Sequence, residues 1–200
     1  MNSTADARAW VLPEEPTPIR LMSTIWWDTD GIHDDFATAS DVDDWLDAVS
    51  IDRAGTHATP SELAAAIRLR DAARRAAAHL TDDDRPAAAS AIADLDEAID
   101  TINTAATHAA SPRIENHDGR LHLTAETSTS PVVAALATVA EQIIELVGGD
   151  DAATLRACHA PGCVLYFVKT HPRREWCSVA CGNRARAARH YDKVRVRKTD

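Results

Sequence analysis

Apolar residues recur at helical spacing in three long stretches of the chain, and each stretch has its own start signal. Thr59 and Glu62, with proline between them, have the form of a capping box, so we expect a helix from there to about Leu80. A second helix is expected over residues 84–108, where isoleucine and leucine recur at helical spacing. The most apolar stretch, residues 131–147, follows Ser-Pro and ends at Gly-Gly, which predicts a third helix.

Shorter patterns predict the remaining elements of the N-terminal part. Residues 19–27 are rich in β-branched and aromatic types and are expected to form a strand. Ser40, with an aspartate three positions later, is expected to cap a short helix through Val49. The Asp-Gly pair at 118–119 lies between two short segments and predicts a β-hairpin over residues 113–124.

The composition agrees with a helical protein. Of the 200 residues 45% are apolar, but only 4% are aromatic, and alanine supplies much of the apolar total. We therefore predict a mainly α fold with a small β-hairpin, an α+β arrangement, and not a β-sandwich. No run reaches the ~18 uninterrupted apolar residues of a membrane span, and the first ten residues have no apolar run. We expect no membrane partner and a cytoplasmic location.

The net charge of −10 is distributed unevenly along the chain. Residues 1–155 contain 10 Lys and Arg against 28 Asp and Glu, a net charge of −18. Residues 156–200 contain 11 against 3, a net charge of +8. A basic tail on an acidic body indicates an acidic partner, and nucleic acid is the commonest one. The alternative is that the tail docks on the acidic part of its own chain.

All four cysteines lie within 24 residues, in two close pairs: Cys158, Cys163, Cys177 and Cys181. Two close pairs with a short spacer suit tetrahedral Zn²⁺, because each pair aims two sulfurs at one point. Four thiolates leave no open position, so we expect one structural zinc ion that supplies most of the folding energy of this region. Disulfides are the main alternative, but nothing in the sequence indicates an oxidising compartment. His159 and His171 are the fallback ligands.

The cysteine region also predicts its own local structure. After a helical linker over residues 151–156, residues 164–168 are expected to form a strand and residues 174–176 a return strand. The second cysteine pair has the i, i+4 spacing of one helix face, and Ser178 is placed to cap that helix. The region is expected to be a treble-clef-like or ribbon-like finger followed by a basic helix.

Basic residues surround the second cysteine pair and continue to the end of the sequence. The candidate nucleic-acid contacts are Arg173, Arg174, Arg184, Arg186, Arg189, His190, Lys193, Arg195, Arg197 and Lys198. At about 100° per residue, five of them between Arg186 and Arg197 share one side of the helix, turned away from the cysteines. Arg184 and Arg195 lie off this stripe. Such a stripe suits a phosphate backbone or a groove, and the alternative is a solvated basic helix end.

At these residues the chain resembles a known family. The tetrapeptide 181–184 reads Cys-Gly-Asn-Arg, follows Trp176-Cys177 and precedes the basic helix, as in the CGNR zinc finger. That finger is found mainly in bacteria, at the C-terminus of transcription regulators. Residues 19–147 resemble the ABATE domain that accompanies it, through Thr24-Ile25-Trp26, Trp45-Leu46 and Gly119-Arg120-Leu121. The resemblance implies a transcription regulator with a zinc-binding C-terminus.

Two weaker patterns suggest further ligands in the N-terminal part. The acidic loop over residues 28–35 has calcium-like carboxylates, but position 12 counted from its first aspartate is Ala39, where an EF-hand needs Glu. Capping and loop solvation explain these carboxylates better. Trp26, Trp27 and Trp45 are candidates for a small-molecule pocket, although core packing is the commoner role of large aromatic residues.

The sequence as a whole predicts three regions: a flexible arm over 1–18, a helical sensing or dimerisation domain over 19–150, and a zinc finger with a basic helix over 151–200. The first hypothesis is a transcription regulator that binds double-stranded DNA, with a small-molecule effector or a homodimer served by the helical domain. The alternative is an interaction module that binds an acidic protein or its own acidic domain. An enzyme has no specific support, because the sequence has no Walker loop, GxGxxG or HExxH motif.

Overall fold

The computed structural model describes residues 12–126 and 128–196, without the side chains of Ala125, Asp192, Lys193, Arg195 and Val196. Its elements are α1 (Thr17–Met22), β1 (Ile25–Asp28), β2 (Gly31–Asp34), α2 (Ala39–Ala48), α3 (Pro60–Leu80), α4 (Leu95–Ala106), β3 (Ser111–His117), β4 (Arg120–Glu126), α5 (Pro131–Gly148), β5 (Leu155–Ala157), β6 (Tyr166–Val168) and α6 (Val179–Val196). The described strands pair as three antiparallel hairpins, β1–β2, β3–β4 and β5–β6. The predicted class, mainly helical with small β-hairpins and a C-terminal cysteine cluster, is confirmed.

The N-terminal segment is helical where a strand was expected. Pro18 lies in the first turn of α1, where its missing N–H and fixed φ favour a helix start. Ile19 and Met22 are buried, and α1 packs against α5. The predicted strand over 19–27 is therefore wrong in its first part, because burial against α5 outweighs the β propensity of these residues.

The segment that precedes α1 is packed as well. Leu12 is 5% exposed and Glu15 is 6% exposed. The region predicted as an arm over residues 1–18 is thus part of the folded body from Leu12 onward, and residues 1–11 lie outside the described part of the chain.

The acidic stretch after β1 is a hairpin. Asp28 pairs with Gly31 at the end of the β1–β2 ladder, which leaves a two-residue turn between them. Gly31 has a φ of +127°, which favours glycine at this position. The loop expected over residues 28–35 is mostly the second strand of this hairpin.

Helices α2 and α3 both begin at a threonine cap. In α3 the predicted capping box is confirmed: Thr59 Oγ1 accepts a hydrogen bond from Glu62 N at 3.3 Å, and Glu62 Oε2 accepts one from Thr59 N at 2.7 Å. Helix α2 begins earlier than predicted, because Thr38 and Asp41 form its capping box and Ser40 lies inside the helix.

The helix expected over residues 84–108 forms only in its second half. Pro86–Ala88 makes a short 3-10 turn, and α4 begins after Asp94, whose carboxylate caps it. Side chains of α3 hold the segment that precedes α4, residues 86–94. Arg74 and Arg75 donate to backbone carbonyls of this segment at 3.1 and 2.7 Å. These tertiary hydrogen bonds replace the intrahelical ones, so the prediction was wrong for residues 84–94.

Helix α5 lies at the centre of the core. Val132, Val139 and Ile143 are completely buried, and α5 packs against α1, α3 and α4. Within residues 12–126 and 128–196 it is the one helix with the length and apolar composition to cross a membrane, with a mean hydropathy of 1.5. Its burial against three helices identifies it as the core helix of the domain.

The hairpin β3–β4 forms where the Asp-Gly pair predicts it. Asp118 and Gly119 have φ values of +54° and +80°, as a type I′ turn requires. The ladder runs from the Ser111–Glu126 pair to the turn. Every residue of β3 is exposed. This hairpin therefore projects from the helical domain.

The cysteine region begins with a strand that the sequence did not reveal. After a 3-10 turn over Asp150–Thr154, the expected linker helix gives way to β5, which pairs with β6. The strand expected over 164–168 is confirmed from Tyr166 onward. Residues 174–176 do not form the return strand, because the Arg174 guanidinium donates to the carbonyls of Val168 and Cys177 at 3.0 and 2.9 Å and holds the segment by its side chain.

Candidate zinc centre and nucleic-acid interface

The first cysteine pair lies on the turn that joins β5 to β6. Cys158 N donates to Leu165 O at 2.9 Å, and Cys163 N donates to Ala160 O at 2.9 Å. Gly162 has a φ of +76° in this turn, in the left-handed region that glycine adopts without strain. The hydrogen-bonded turn over residues 158–163, the zinc knuckle, brings the two thiols together.

The second pair lies at the start of α6. Cys177 precedes the helix, and Cys181 lies in its first turn. Cys181 N donates to Ser178 Oγ at 3.2 Å, which is the cap that the sequence predicts. The free N–H groups and the positive end of the helix dipole favour thiolates at this end of α6.

The four sulfurs form one compact cluster. All four Sγ atoms lie within 4.8 Å of one another, and all four cysteines are buried. Cys163 Sγ lies 3.8 Å from Cys177 Sγ, and Cys177 Sγ lies 3.4 Å from Cys181 Sγ. A tetrahedron with Zn–S bonds of about 2.3 Å has edges of about 3.8 Å. The donor set and its spacing therefore fit a single structural zinc ion with four cysteine ligands.

Hydrogen bonding within the cluster favours deprotonation of two thiols. Hydrogen bonds with Cys163 and then Cys177 lower the pKa of Cys158 to about 7. Hydrogen bonds with Cys158 and its neighbours also lower the pKa of Cys181. The same hydrogen bonds raise the pKa values of Cys163 and Cys177, because these thiols donate to neighbouring thiolates and so keep their own protons. A divalent cation stabilises all four as thiolates.

The finger is docked on the helical domain through its zinc knuckle. Arg85 Nη1 donates to Cys158 O and to Cys163 O, each at 2.6 Å. The same guanidinium binds both carboxylate oxygens of Asp83, at 2.6 and 2.7 Å, and Tyr166 Oη donates to that carboxylate at 3.0 Å. Burial raises the pKa of Asp83, but the hydrogen bonds and charge of Arg85 outweigh it, so the pKa is lowered overall.

Arg74 supplies a second anchor between the two regions. Its side chain is completely enclosed, at 1% exposure of the residue. Nη1 donates to Met22 O at 3.0 Å, and Nη2 donates to Val164 O at 3.3 Å. The guanidinium carbon also lies 5.5 Å from the centre of the Tyr166 ring. One arginine of α3 therefore ties the end of α1 to the finger.

Trp27 of β1 contacts both halves of the zinc centre. A Cβ atom on Gly162 would lie 2.6 Å from the Trp27 ring, so glycine is needed for this approach. The guanidinium carbon of Arg184 lies 5.4 Å from the centre of the same ring, and its Nη2 donates to Cys181 Sγ at 3.2 Å. Arg184 thus links a zinc ligand to the β1–β2 hairpin.

The apolar side chains of the finger belong to the core of the whole chain. Leu155, Tyr166 and Phe167 are at most 1% exposed and lie in one cluster with the buried residues of α1, α3 and α5. Glu15 accepts a hydrogen bond from Val168 N at 2.9 Å and forms an ion pair with Arg174. Docking therefore stabilises the finger in addition to the metal.

The opposite side of the finger presents its basic residues to solvent. Arg186, Arg189 and His190 of α6 are exposed, as is Arg173 in the preceding loop. A cleft of about 390 Å³ lies beside them, lined by arginines 173, 174 and 186, by Trp176 and by the first turn of α6. The guanidinium carbon of Arg189 lies 5.7 Å from the centre of the Trp176 ring. The basic stripe is therefore free of the contacts that dock the finger.

The remaining predicted contacts lie at the end of the chain. Lys193 and Arg195 are on α6, but their side chains fall outside the described part of the structure. Arg197 and Lys198 lie beyond the described residues. These four positions stay predictions.

The three tryptophans of the predicted effector pocket lie in three different environments. Trp45 is completely buried and packs edge-on against Phe36, with ring centres 6.1 Å apart. Trp26 stacks on His33 at 4.2 Å. Trp27 contacts the finger. A cavity of about 810 Å³ lies elsewhere, among α3, α4 and α5.

Asp28 and Asp34 of the β1–β2 hairpin are paired with side chains of the protein. His33 Nε2 lies 2.8 Å from Asp28 Oδ1, and Arg70 binds both oxygens of Asp34, at 2.5 and 3.0 Å. Apart from the four cysteines, residues 12–126 and 128–196 contain no cluster of three or more side chains placed to hold a metal ion.

Comparison with protein families accounts for both parts of the molecule. The ABATE model, described as a putative stress-induced transcription regulator, matches residues 15–150. The CGNR zinc finger model matches residues 154–194, which include the four clustered cysteines, so these residues form one zinc site. A search of curated proteins finds no match. The resemblance noted from the sequence is confirmed, and the chain belongs to the ABATE family of transcription regulators and carries a C-terminal CGNR zinc finger.

Proposed function

We propose that this regulator binds double-stranded DNA through the basic side of its zinc finger. The observation that carries the proposal is the division of the finger into two sides. The side with the cysteines is buried on the helical domain, whereas Arg186, Arg189 and His190 are exposed on the other side of α6. Residues 154–194 contain eight Lys and Arg against two Asp and Glu, so this surface attracts phosphate.

The cleft beside α6 is the proposed anchor for a backbone phosphate. Its lining combines the guanidinium groups of Arg173 and Arg186 with the N-terminus of an 18-residue helix. Helix N-termini attract anions through free N–H groups and the helix dipole, and arginine binds phosphate with two parallel hydrogen bonds. Arg189, stacked near Trp176, extends the same surface along α6.

The other basic residues take different roles in this proposal. Arg174 and Arg184 bind Glu15 and Cys181, so we assign them to hold the finger in place. Lys193, Arg195, Arg197 and Lys198 stay candidate phosphate contacts on the basis of the sequence alone. A single finger reads little DNA surface, so specific recognition calls for two copies of the chain.

The helical domain is proposed to sense an effector and to dimerise. Trp27 offers a route for the signal, because it contacts both Gly162 in the zinc knuckle and Arg184 on α6. A small molecule that displaces the β1–β2 hairpin would move these contacts and shift the basic surface. The four reduced cysteines and the resemblance to a mainly bacterial finger support a cytoplasmic regulator in a bacterium.

The first experiment is selection of genomic DNA fragments by the zinc-loaded full chain at physiological salt, where weak non-specific binding is suppressed. We expect a few fragments to be enriched. Fluorescence anisotropy on an enriched fragment then measures affinity against salt concentration for the wild type, Arg186→Ala and Arg189→Ala. Each substitution should weaken binding and reduce the salt slope by about one unit for each lost phosphate contact.

Arg113→Ala is the matched control, because Arg113 is an exposed arginine on the β3–β4 hairpin, outside the finger. Its affinity and salt slope should equal those of the wild type. Enrichment of no fragment, or an unchanged salt slope in both finger variants, contradicts the proposal. In that case the exposed basic side would be assigned to an acidic protein partner, the alternative raised by the charge distribution.

A further inference from the structure

The β3–β4 hairpin exposes an apolar face. Ile114, Leu121 and Leu123 are 74%, 74% and 79% exposed. Ile114 pairs directly with Leu123 in the ladder, and Leu121 lies two residues along the same strand, so all three project from one face. The other face carries the charged pair Arg113–Glu126. The hairpin is thus amphipathic, with its apolar side in water.

A two-stranded hairpin of this kind is marginally stable in water unless its apolar face is packed against something. Exposed aliphatic clusters on a folded domain mark interaction sites. The hairpin residues 111–126 contain two basic and three acidic residues, a net charge of −1, so they are not suited to nucleic acid. The pattern indicates a protein partner.

The helical domain also has an apolar groove next to the base of this hairpin. The cavity of about 810 Å³ among α3, α4 and α5 is walled by Leu69, Val133 and Leu136. The hairpin leaves from the end of α4 and returns to the start of α5, which are two of the three helices that line the groove. One chain therefore carries an apolar ridge and an apolar groove side by side.

The size of the two surfaces fits a weak dimer. Seven residues per strand span about 23 Å, and two strands are about 10 Å wide, so the apolar face covers about 230 Å². A two-fold pair contains this contact twice and buries both the hairpin and the groove each time. The total is about 900 Å², at the lower limit for specific interfaces, and the contact is isologous, as closed dimers require.

We propose that two copies of this chain form a dimer by exchanging their β3–β4 hairpins, each laid with its apolar face in the groove of the other copy. The exchange places Ile114, Leu121 and Leu123 against α3, α4 and α5 of the second copy. It deepens the dimerisation role proposed above and does not depend on DNA binding.

Sedimentation equilibrium of the zinc-loaded full chain over a wide dilution series tests the exchange. The wild type should be a dimer. Leu123→Asp places a carboxylate in the apolar contact and should weaken dimerisation at least about tenfold. His122→Asp is the matched control, because it puts the same carboxylate on the opposite face of the same strand and should leave dimerisation unchanged.

A second variant tests the groove itself. Ala65 is an exposed residue of α3 on the groove wall, so Ala65→Glu fills the groove without disturbing the core. It should weaken dimerisation as Leu123→Asp does. A mixture of the two variants should form a mixed dimer more readily than either variant dimerises alone, because the mixed pair keeps one intact hairpin and one intact groove.

Three outcomes contradict the proposal: a monomeric wild type, equal loss in His122→Asp and Leu123→Asp, or a dimeric Ala65→Glu, which would place the hairpins against each other. The DNA proposal has an independent readout. A monomeric Leu123→Asp chain should retain salt-dependent binding to DNA through its own finger, so failure of the dimer and failure of DNA binding are distinguishable.

Discussion

The β5–β6 and β3–β4 hairpins are both antiparallel two-stranded units, but they have opposite environments. The β3–β4 hairpin alternates apolar with polar residues, whereas β6 is apolar at all three positions, Tyr166–Val168. Tyr166 and Phe167 in β6 are at most 1% exposed, whereas Leu121 and Leu123 in β4 are more than 70% exposed. The first hairpin packs on α3 and α1, and the second projects from the ends of α4 and α5.

The difference shows what makes a hairpin a stable part of this fold. The β5–β6 hairpin has a metal site on its turn, a partner surface on the helices, and two arginines that satisfy its carbonyls. The β3–β4 hairpin has an ideal turn and a complete ladder, but its large apolar side chains Ile114, Leu121 and Leu123 are exposed. Local turn chemistry therefore forms a hairpin, and tertiary contacts decide whether its apolar face is buried.

Zinc removal is expected to produce the largest difference between the two hairpins. With zinc bound, amides of β5, β6 and the first turn of α6 should exchange slowly with solvent. A chelator should raise their exchange rates strongly, because it removes the metal that joins the two cysteine pairs. Exchange in β3–β4 should not change. Hydrogen exchange read by mass spectrometry checks this, and equal acceleration in both hairpins would show that the metal supports the whole fold.

Truncation of one apolar side chain in each hairpin gives the next largest contrast. Phe167→Ala removes a fully buried ring and should lower the free energy of unfolding by about 3–5 kcal/mol. Leu123→Ala removes an exposed side chain and should change it by less than about 0.5 kcal/mol in the monomer. Urea unfolding at a concentration where the chain is monomeric measures both. Similar losses in the two variants would mean that the β3–β4 hairpin is packed within its own chain.

The sequence predicted those parts of the fold that depend on local chemistry. The capping box of Thr59 and Glu62, the Asp-Gly turn and the apolar face of α5 each specify their element within a few residues. Local sequence patterns are misleading where tertiary contacts decide the structure. The segment 84–94 is held by Arg74 and Arg75 of α3, and residues 17–22 become helical on packing against α5.

The candidate site divides in the same way. The four cysteines and the cap at Ser178 follow from spacing, so their cluster could be predicted. The docking residues Arg85 and Asp83 could not, because nothing in a surface-like run of charges shows that it meets backbone carbonyls more than 70 residues away. For Arg74 the sequence contains a weak indication of a buried role, because this arginine lies among the alanines of one face of α3.

A medium effect is expected from the loss of one arginine at the docked hairpin. Arg85→Met removes the donor to Cys158 O and Cys163 O and leaves the Asp83 carboxylate without its cation. Unpaired buried polar groups are costly, so the free energy of unfolding should fall by about 2–3 kcal/mol. Arg113→Met, which breaks the exposed pair with Glu126, should lower it by less than about 1 kcal/mol. Urea unfolding of both variants measures these losses. Equal losses of unfolding free energy in the two variants would show that Arg85 does not anchor the finger.

The smallest effect is a dependence of finger docking on pH. Arg85 keeps the pKa of Asp83 below its ordinary value despite the opposing effect of burial. The unfolded chain has an Asp pKa of about 3.9, so the folded state binds this proton less readily. The stability contributed by the pair is present above that value and is lost as the pH falls through the lower pKa of the folded state. Docking of β5–β6 should therefore weaken below about pH 4.

Urea unfolding of the wild type and of Asp83→Asn at a series of pH values isolates this carboxylate from the others. The variant should be less stable at neutral pH, because its neutral amide forms no ion pair with Arg85, and the difference between the two curves should narrow below about pH 4. Glu126→Gln, which removes one carboxylate from the exposed hairpin, controls for the change in net charge. A constant difference between the wild type and Asp83→Asn would show that the Asp83–Arg85 pair does not couple docking to pH. The contrast between the two hairpins would then be due to apolar burial, the metal and the hydrogen bonds from Arg74 and Arg85 to backbone carbonyls.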